Sequence, residues 1–104
     1  MARRPHLPKA SDRVMFPWAS GAMTPELIVW AALTHFRDGA APADVAEHLL
    51  LWGLAEGDRP PVHARVAQFF ENLVAAPPNS RGAARLPNGR YKAVLRQPAR
   101  KGGA

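Results

Sequence analysis

The stretch Arg59-Pro60-Pro61-Val62-His63-Ala64-Arg65-Val66-Ala67-Gln68-Phe69-Phe70-Glu71-Asn72-Leu73-Val74-Ala75-Ala76 decides the fold. Val62, Val66, Phe69, Phe70, Leu73 and Val74 recur at i, i+4, i+7, while His63, Arg65, Gln68, Glu71 and Asn72 fall off that stripe. This spacing predicts an amphipathic helix over 59–76 with one apolar face to bury. Asp58 stands where it can cap the helix. The proline pair falls in the first turn, where prolines are tolerated, and Pro77-Pro78 cannot continue it.

Two more helices precede it. The first is expected from Pro25 to Asp38, with Thr24 as N-cap, Pro25 at the first helical position, Glu26 at the positive end of the helix dipole and Gly39 as the stop. Leu27, Ile28, Ala31, Leu33 and Phe36 supply its apolar surface, and Trp30 widens it. The second is expected from Pro42 to Trp52, with Val45, Leu49 and Trp52 on one face and Gly53 and Gly57 opening the loop that follows. Its C-terminal end is apolar nearly all round, which suits either the core or a subunit interface.

Downstream, Leu86-Pro87-Asn88-Gly89 has the residues of a type I turn with glycine in a left-handed bulge position. Tyr91, Ala93 and Leu95 alternate with Lys92, Val94 and Arg96, so a hairpin is expected over 79–96. Two strands are not stable alone, so Tyr91 and Leu95 should pack on the helices. Upstream, Val14-Met15-Phe16-Pro17-Trp18 is apolar but too short for a helix, and is expected as an extended arm that pairs with the hairpin or docks on the core.

Charge is segregated along the chain. Residues 1–20 carry Arg3, Arg4, Lys9 and Arg13 against Asp12; residues 21–76 hold three cations and seven acids; residues 77–104 hold Arg81, Arg85, Arg90, Lys92, Arg96, Arg100 and Lys101 with no acid. A cationic field this concentrated attracts polyanions, of which nucleic acid is the commonest. The 104 residues allow one small domain with tails. Without cysteine there is no disulfide, thiolate metal site or cysteine nucleophile. The longest apolar run, 49–54, is far short of the about 20 residues of a membrane span. No signal-type apolar stretch follows Arg3 and Arg4, and a cytoplasmic location is expected.

Catalysis is not expected. A phosphate-binding glycine loop and a nucleophile elbow are absent from the sequence, and the three serines fall in loops. Asp44 and His48 have an i, i+4 ligand spacing, but zinc takes three or four ligands, so no metal or other cofactor is expected. His35, beside Phe36, reads as a half-buried structural residue. Trp30 and Trp52 read first as core. Trp18, flanked by Pro17 and Ala19, reads as a partner anchor.

The order helix, helix, helix, basic hairpin over 24–96, about two-thirds of the chain, resembles the winged helix–turn–helix domains of bacterial and phage transcription regulators. Ala43-Asp44-Val45-Ala46-Glu47-His48-Leu49 is similar to the first helix of that motif, Pro61-Val62-His63-Ala64-Arg65-Val66 to the start of a recognition helix, and Arg85–Arg96 to a wing tipped by Pro87-Asn88-Gly89. Two features depart from the pattern. The stretch 50–59 is longer than the usual turn, and the short strand usually found between these helices and the hairpin is not evident.

The resemblance implies a mainly α fold with a small β-hairpin: a three-helix core, a C-terminal wing-like hairpin and flexible basic termini. The division would be a basic arm 1–23, a domain 24–96 and a disordered tail 97–104. It implies a DNA-binding regulator in which His63, Arg65 and Gln68 face the major groove while Arg81, Arg85, Arg90, Lys92 and Arg96 lie along phosphates or a minor groove. Neutralising about six phosphates would give a log–log salt slope of about −5. A homodimer would form through the apolar second helix. The alternative is a protein-interaction module, an inhibitor or adaptor of phage or plasmid type, that presents Trp18, Leu51 and Trp52 to a partner.

Overall fold

The computed structural model describes residues 10–96. The cations at Arg3, Arg4, Lys9, Arg100 and Lys101, and the tail 97–104 expected to be disordered, lie outside the described residues. The chain is mainly helical and ends in a two-stranded antiparallel hairpin: α1 (Ala10–Met15), α2 (Pro25–Leu33), α3 (Pro42–Leu51), α4 (Arg59–Val74), β1 (Arg81–Arg85) and β2 (Tyr91–Leu95). Among the described residues no helix is long and apolar enough to cross a membrane.

The stripe on α4 organises the core. Val62, Val66, Phe69, Phe70 and Leu73 are buried against Val29 and Leu33 of α2, Val45 and Leu49 of α3, and Ala83 of β1. Only Val74, at the frayed end, is exposed. Asp58 occupies the N-cap position but makes no capping hydrogen bond. An N-cap side chain accepts from the second or third helical amide. Here those positions are Pro60 and Pro61, which have none. Thr24 of α2 does cap, accepting from the Leu27 amide at 3.2 Å. Asp44 of α3 reaches back to the Ala41 amide at 3.1 Å.

Helix α2 stops at Leu33, five residues before the expected end. From Thr34 to Phe36 the amides switch to i→i−3 partners, tightening the turn. Gly39 (φ +84°) then swings the chain so that Ala40 and Tyr91 exchange backbone hydrogen bonds, 2.9 Å in each direction. This isolated bridge ties the turn after α2 to residue Tyr91.

Helix α3 closes with a Schellman motif. The Gly53 amide (φ +71°) donates to the Leu50 carbonyl and the Leu54 amide to the Leu49 carbonyl. The turn leaves Trp52 at the C-cap, 68 % exposed, so the core placement expected for it is corrected. The seven-residue connection from Trp52 to Asp58 buries Ala55 and donates from the Glu56 amide to the Met15 carbonyl at 2.8 Å. Its extra length is therefore used to seat the N-terminal segment.

That segment also differs from expectation. Residues 10–15 form a helix rather than an extended arm, and of the two expected placements it is docking on the core, not pairing with the hairpin, that occurs. Phe16 is fully buried, edge-on to Phe69 at 5.9 Å.

The hairpin pairs Arg81 with Leu95 and Arg85 with Tyr91. Its turn is as expected, with the Gly89 amide (φ +85°) donating to the Leu86 carbonyl at 2.9 Å. Tyr91 packs edge-on to Phe70 at 5.1 Å. Leu95 does not pack; it lies at the open end of the ladder and is 64 % exposed. Trp30 fastens the hairpin to α2, its indole N–H donating to the carbonyls of Gly82 (3.0 Å) and Val94 (3.3 Å). Arg96 fastens it to α4 by donating to the Val74 and Ala83 carbonyls.

Candidate nucleic-acid interface

Two groups of cations emerge. The first lies on α4 and is committed internally. Arg65 donates to both carboxylate oxygens of Asp12, at 2.8 and 2.9 Å, and to the Gln68 side chain at 2.6 Å, with its guanidinium over the Phe69 ring. Asp12 is buried, and its hydrogen bonds push the Arg65 pKa above the ordinary arginine value. His63 donates from Nε2 to Glu47 at 2.7 Å, and Arg59 donates to both oxygens of the same carboxylate. Of the residues expected to read bases, His63 and Arg65 thus turn polar atoms to α3 and α1, while exposed Gln68 engages only its Oε1, with Arg65. Both acids are distant in sequence, and only the fold brings them to α4.

The second group lies on the hairpin. Arg81 covers the Trp30 ring at 5.5 Å, and Arg85 donates to the Tyr91 hydroxyl at 2.7 Å while lying over its ring. Arg90, at the turn, and Lys92 are exposed, with no ion pair among the described residues. Arg96 donates from Nη2 to the Val74 and Ala83 carbonyls, and its Nε is buried without a partner. Two depressions meet at Phe36. One, of about 230 Å³, is lined by Leu33, Thr34, Phe36, Arg37, Lys92 and Ala93. The other, of about 520 Å³, runs along α3 past Asp44, Glu47, His48 and Leu51. Sequence reasoning missed Arg37, whose only signal was a cation standing alone in an acidic segment.

Next to the larger depression, His48 stacks on His35 (5.7 Å, 27°) and contacts Phe36 and Trp52. Burial, and secondarily the charge of His35, lower the His48 pKa. The unfolded chain therefore binds the proton more readily, and this contribution to stability is complete above about pH 6.5 and lost as pH falls. Glu47 is likewise held below its ordinary value, by His63 first and then Arg59, and its contribution is lost only at more acidic pH. Urea midpoints are expected to be level from pH 8 to 7 and to decline from pH 7 to 5.5. In His48→Gln that decline should flatten; an unchanged decline would assign it to other groups.

Among the described residues no cluster of three or more metal-ligating side chains occurs. Trp18, Leu51 and Trp52 are 71 %, 82 % and 68 % exposed. No family model, curated protein or solved structure matches the chain.

Proposed function

We propose that this protein binds nucleic acid through its C-terminal hairpin, as a small winged-helix-like DNA-binding protein in which the three longer helices carry the wing. One observation carries the reading: Arg81, Arg85, Arg90 and Lys92 stand on one hairpin without an acid among them, braced by Trp30 and Tyr91. The order of elements supports it. Because His63 and Arg65 are committed to internal carboxylates, the contacts fall mainly on phosphates, which position a protein without specifying sequence.

Fluorescence anisotropy on duplex DNA tests this. Four phosphate contacts give a log–log salt slope of about −3.6. Arg85→Ala combined with Arg90→Ala is expected to reduce the slope by about 1.8 and the affinity about 60-fold at 0.1 M salt. Scrambling the sequence should change little. Affinity indifferent to salt would refute the proposal.

A second reading is favoured by the exposure of Leu51 and Trp52 beside the larger depression. Contiguous exposed apolar surface marks interaction sites, and tryptophan is enriched at their hot spots. On this reading the α3 end is a protein-docking surface, for a second copy or another protein, and the hairpin supports it.

A further inference from the structure

The smaller depression beside Phe36 is built from two elements distant in sequence, the turn after α2 and strand β2. It has a cation from each, Arg37 and Lys92, and an apolar floor of the half-buried Phe36 and Ala93, with the core residue Leu33 beneath. No acid lines it; Asp38, next in the chain to Arg37, is not part of its wall. The Thr34 hydroxyl is already used, donating to the Ala31 carbonyl. Among the described residues these two cations, like Arg13 and Arg90, differ from those engaged internally. Arg59, Arg65, Arg85 and Arg96 each donate to an internal acceptor, whereas Arg37 and Lys92 form no ion pair or ring contact among the described residues. Folding has placed two unspent positive charges over a concave apolar surface. A purely solvated cation needs no such floor.

We propose that this depression holds one nucleotide of a single-stranded nucleic acid, with the phosphate between Arg37 and Lys92 and the sugar and base against Phe36 and Ala93. At about 230 Å³ the depression is below the roughly 300–1,000 Å³ of pockets that enclose drug-sized ligands, so it can seat part of a nucleotide without burying the whole. The pairing of cationic rim and aromatic floor is how single strands are held without sequence readout, the phosphate by charge and the base by its face. Guanidinium and ammonium divide the work: Arg37 can engage two phosphate oxygens at once, while Lys92 acts as a point charge. The inference rests on the hairpin reading through Lys92, and Arg37 is the residue that separates the two.

The test uses the full chain, labelled with ¹⁵N, and three probes: a twelve-residue oligothymidylate, thymidine monophosphate and inorganic phosphate. The amides of Thr34–Arg37 and Lys92–Ala93 are expected to shift with the oligonucleotide and, more weakly, with the monophosphate. Arg37→Ala should weaken oligonucleotide binding about fivefold at 0.1 M salt and reduce the salt slope by about 0.7. Arg37→Lys should restore most of the slope, and Arg37 is exposed, so neither change threatens the core. If shifts stay within Arg85–Arg90 and Arg37→Ala binds normally, the pocket is overturned and the hairpin reading stands. If monophosphate binds more tightly than the oligonucleotide, the occupant is a free nucleotide and the strand assignment is overturned. If inorganic phosphate shifts the same amides as far, the base contributes nothing and the site is an anion site only. If no probe and no duplex binds, both proposals fall.

Discussion

Phe16→Ala is expected to destabilise the full chain by about 3–5 kcal/mol, the range for removing a buried aromatic side chain. Phe16 is fully buried and meets Phe69 edge-on, so the loss includes burial, the ring contact and the void left behind. A small domain has about 5–15 kcal/mol in total. One residue of a segment that reads as a peripheral arm would therefore account for a large share. Urea denaturation followed by circular dichroism measures it. A change below 1 kcal/mol would mean that residues 10–16 lie on the domain without being part of it.

Gly39→Ala is expected to cost about 3 kcal/mol, for two separable reasons. At φ +84° an L-residue meets its own backbone, which costs about 1–2 kcal/mol. A Cβ there would also lie 2.8 Å from Leu86 Cδ1 and 2.9 Å from the Tyr91 carbonyl oxygen. The leucine tip can move, but the carbonyl is the acceptor for the Ala40 amide and cannot retreat without opening that bridge. Amide exchange separates the contributions. Ala40 and Tyr91 should lose protection in the variant, and retained protection with a small loss of stability would overturn the close-approach explanation.

These two residues mark what the sequence makes legible. Helices α3 and α4 could be bounded within about two residues, because Pro42, Gly53 and the Pro60-Pro61 and Pro77-Pro78 pairs act locally on the chain. The hairpin turn was legible for the same reason, since Pro87, Asn88 and Gly89 carry its dihedral preferences. The early end of α2 was not, because what competes with further helix is a pairing with Tyr91, 51 residues beyond Ala40. The candidate site follows the same division. Composition reveals the hairpin cations, but whether an arginine is free depends on where the carboxylates go. Asp12 lies 53 residues from Arg65, and no periodicity connects them. Trp52 and Leu95 fit their periodic patterns and are exposed nonetheless, because each stands where its element ends.

Each of the three longer helices opens on proline: Pro25, Pro42, and the Pro60-Pro61 pair one residue into α4. A pyrrolidine ring sets φ near its helical value even in a denatured chain, so these prolines narrow the choices open before any tertiary contact forms. The slow step in making a helix is fixing its first turn. This polypeptide therefore begins its search with three nuclei partly arranged at fixed places. What is left to chance is how the cylinders find one another, rather than where each begins.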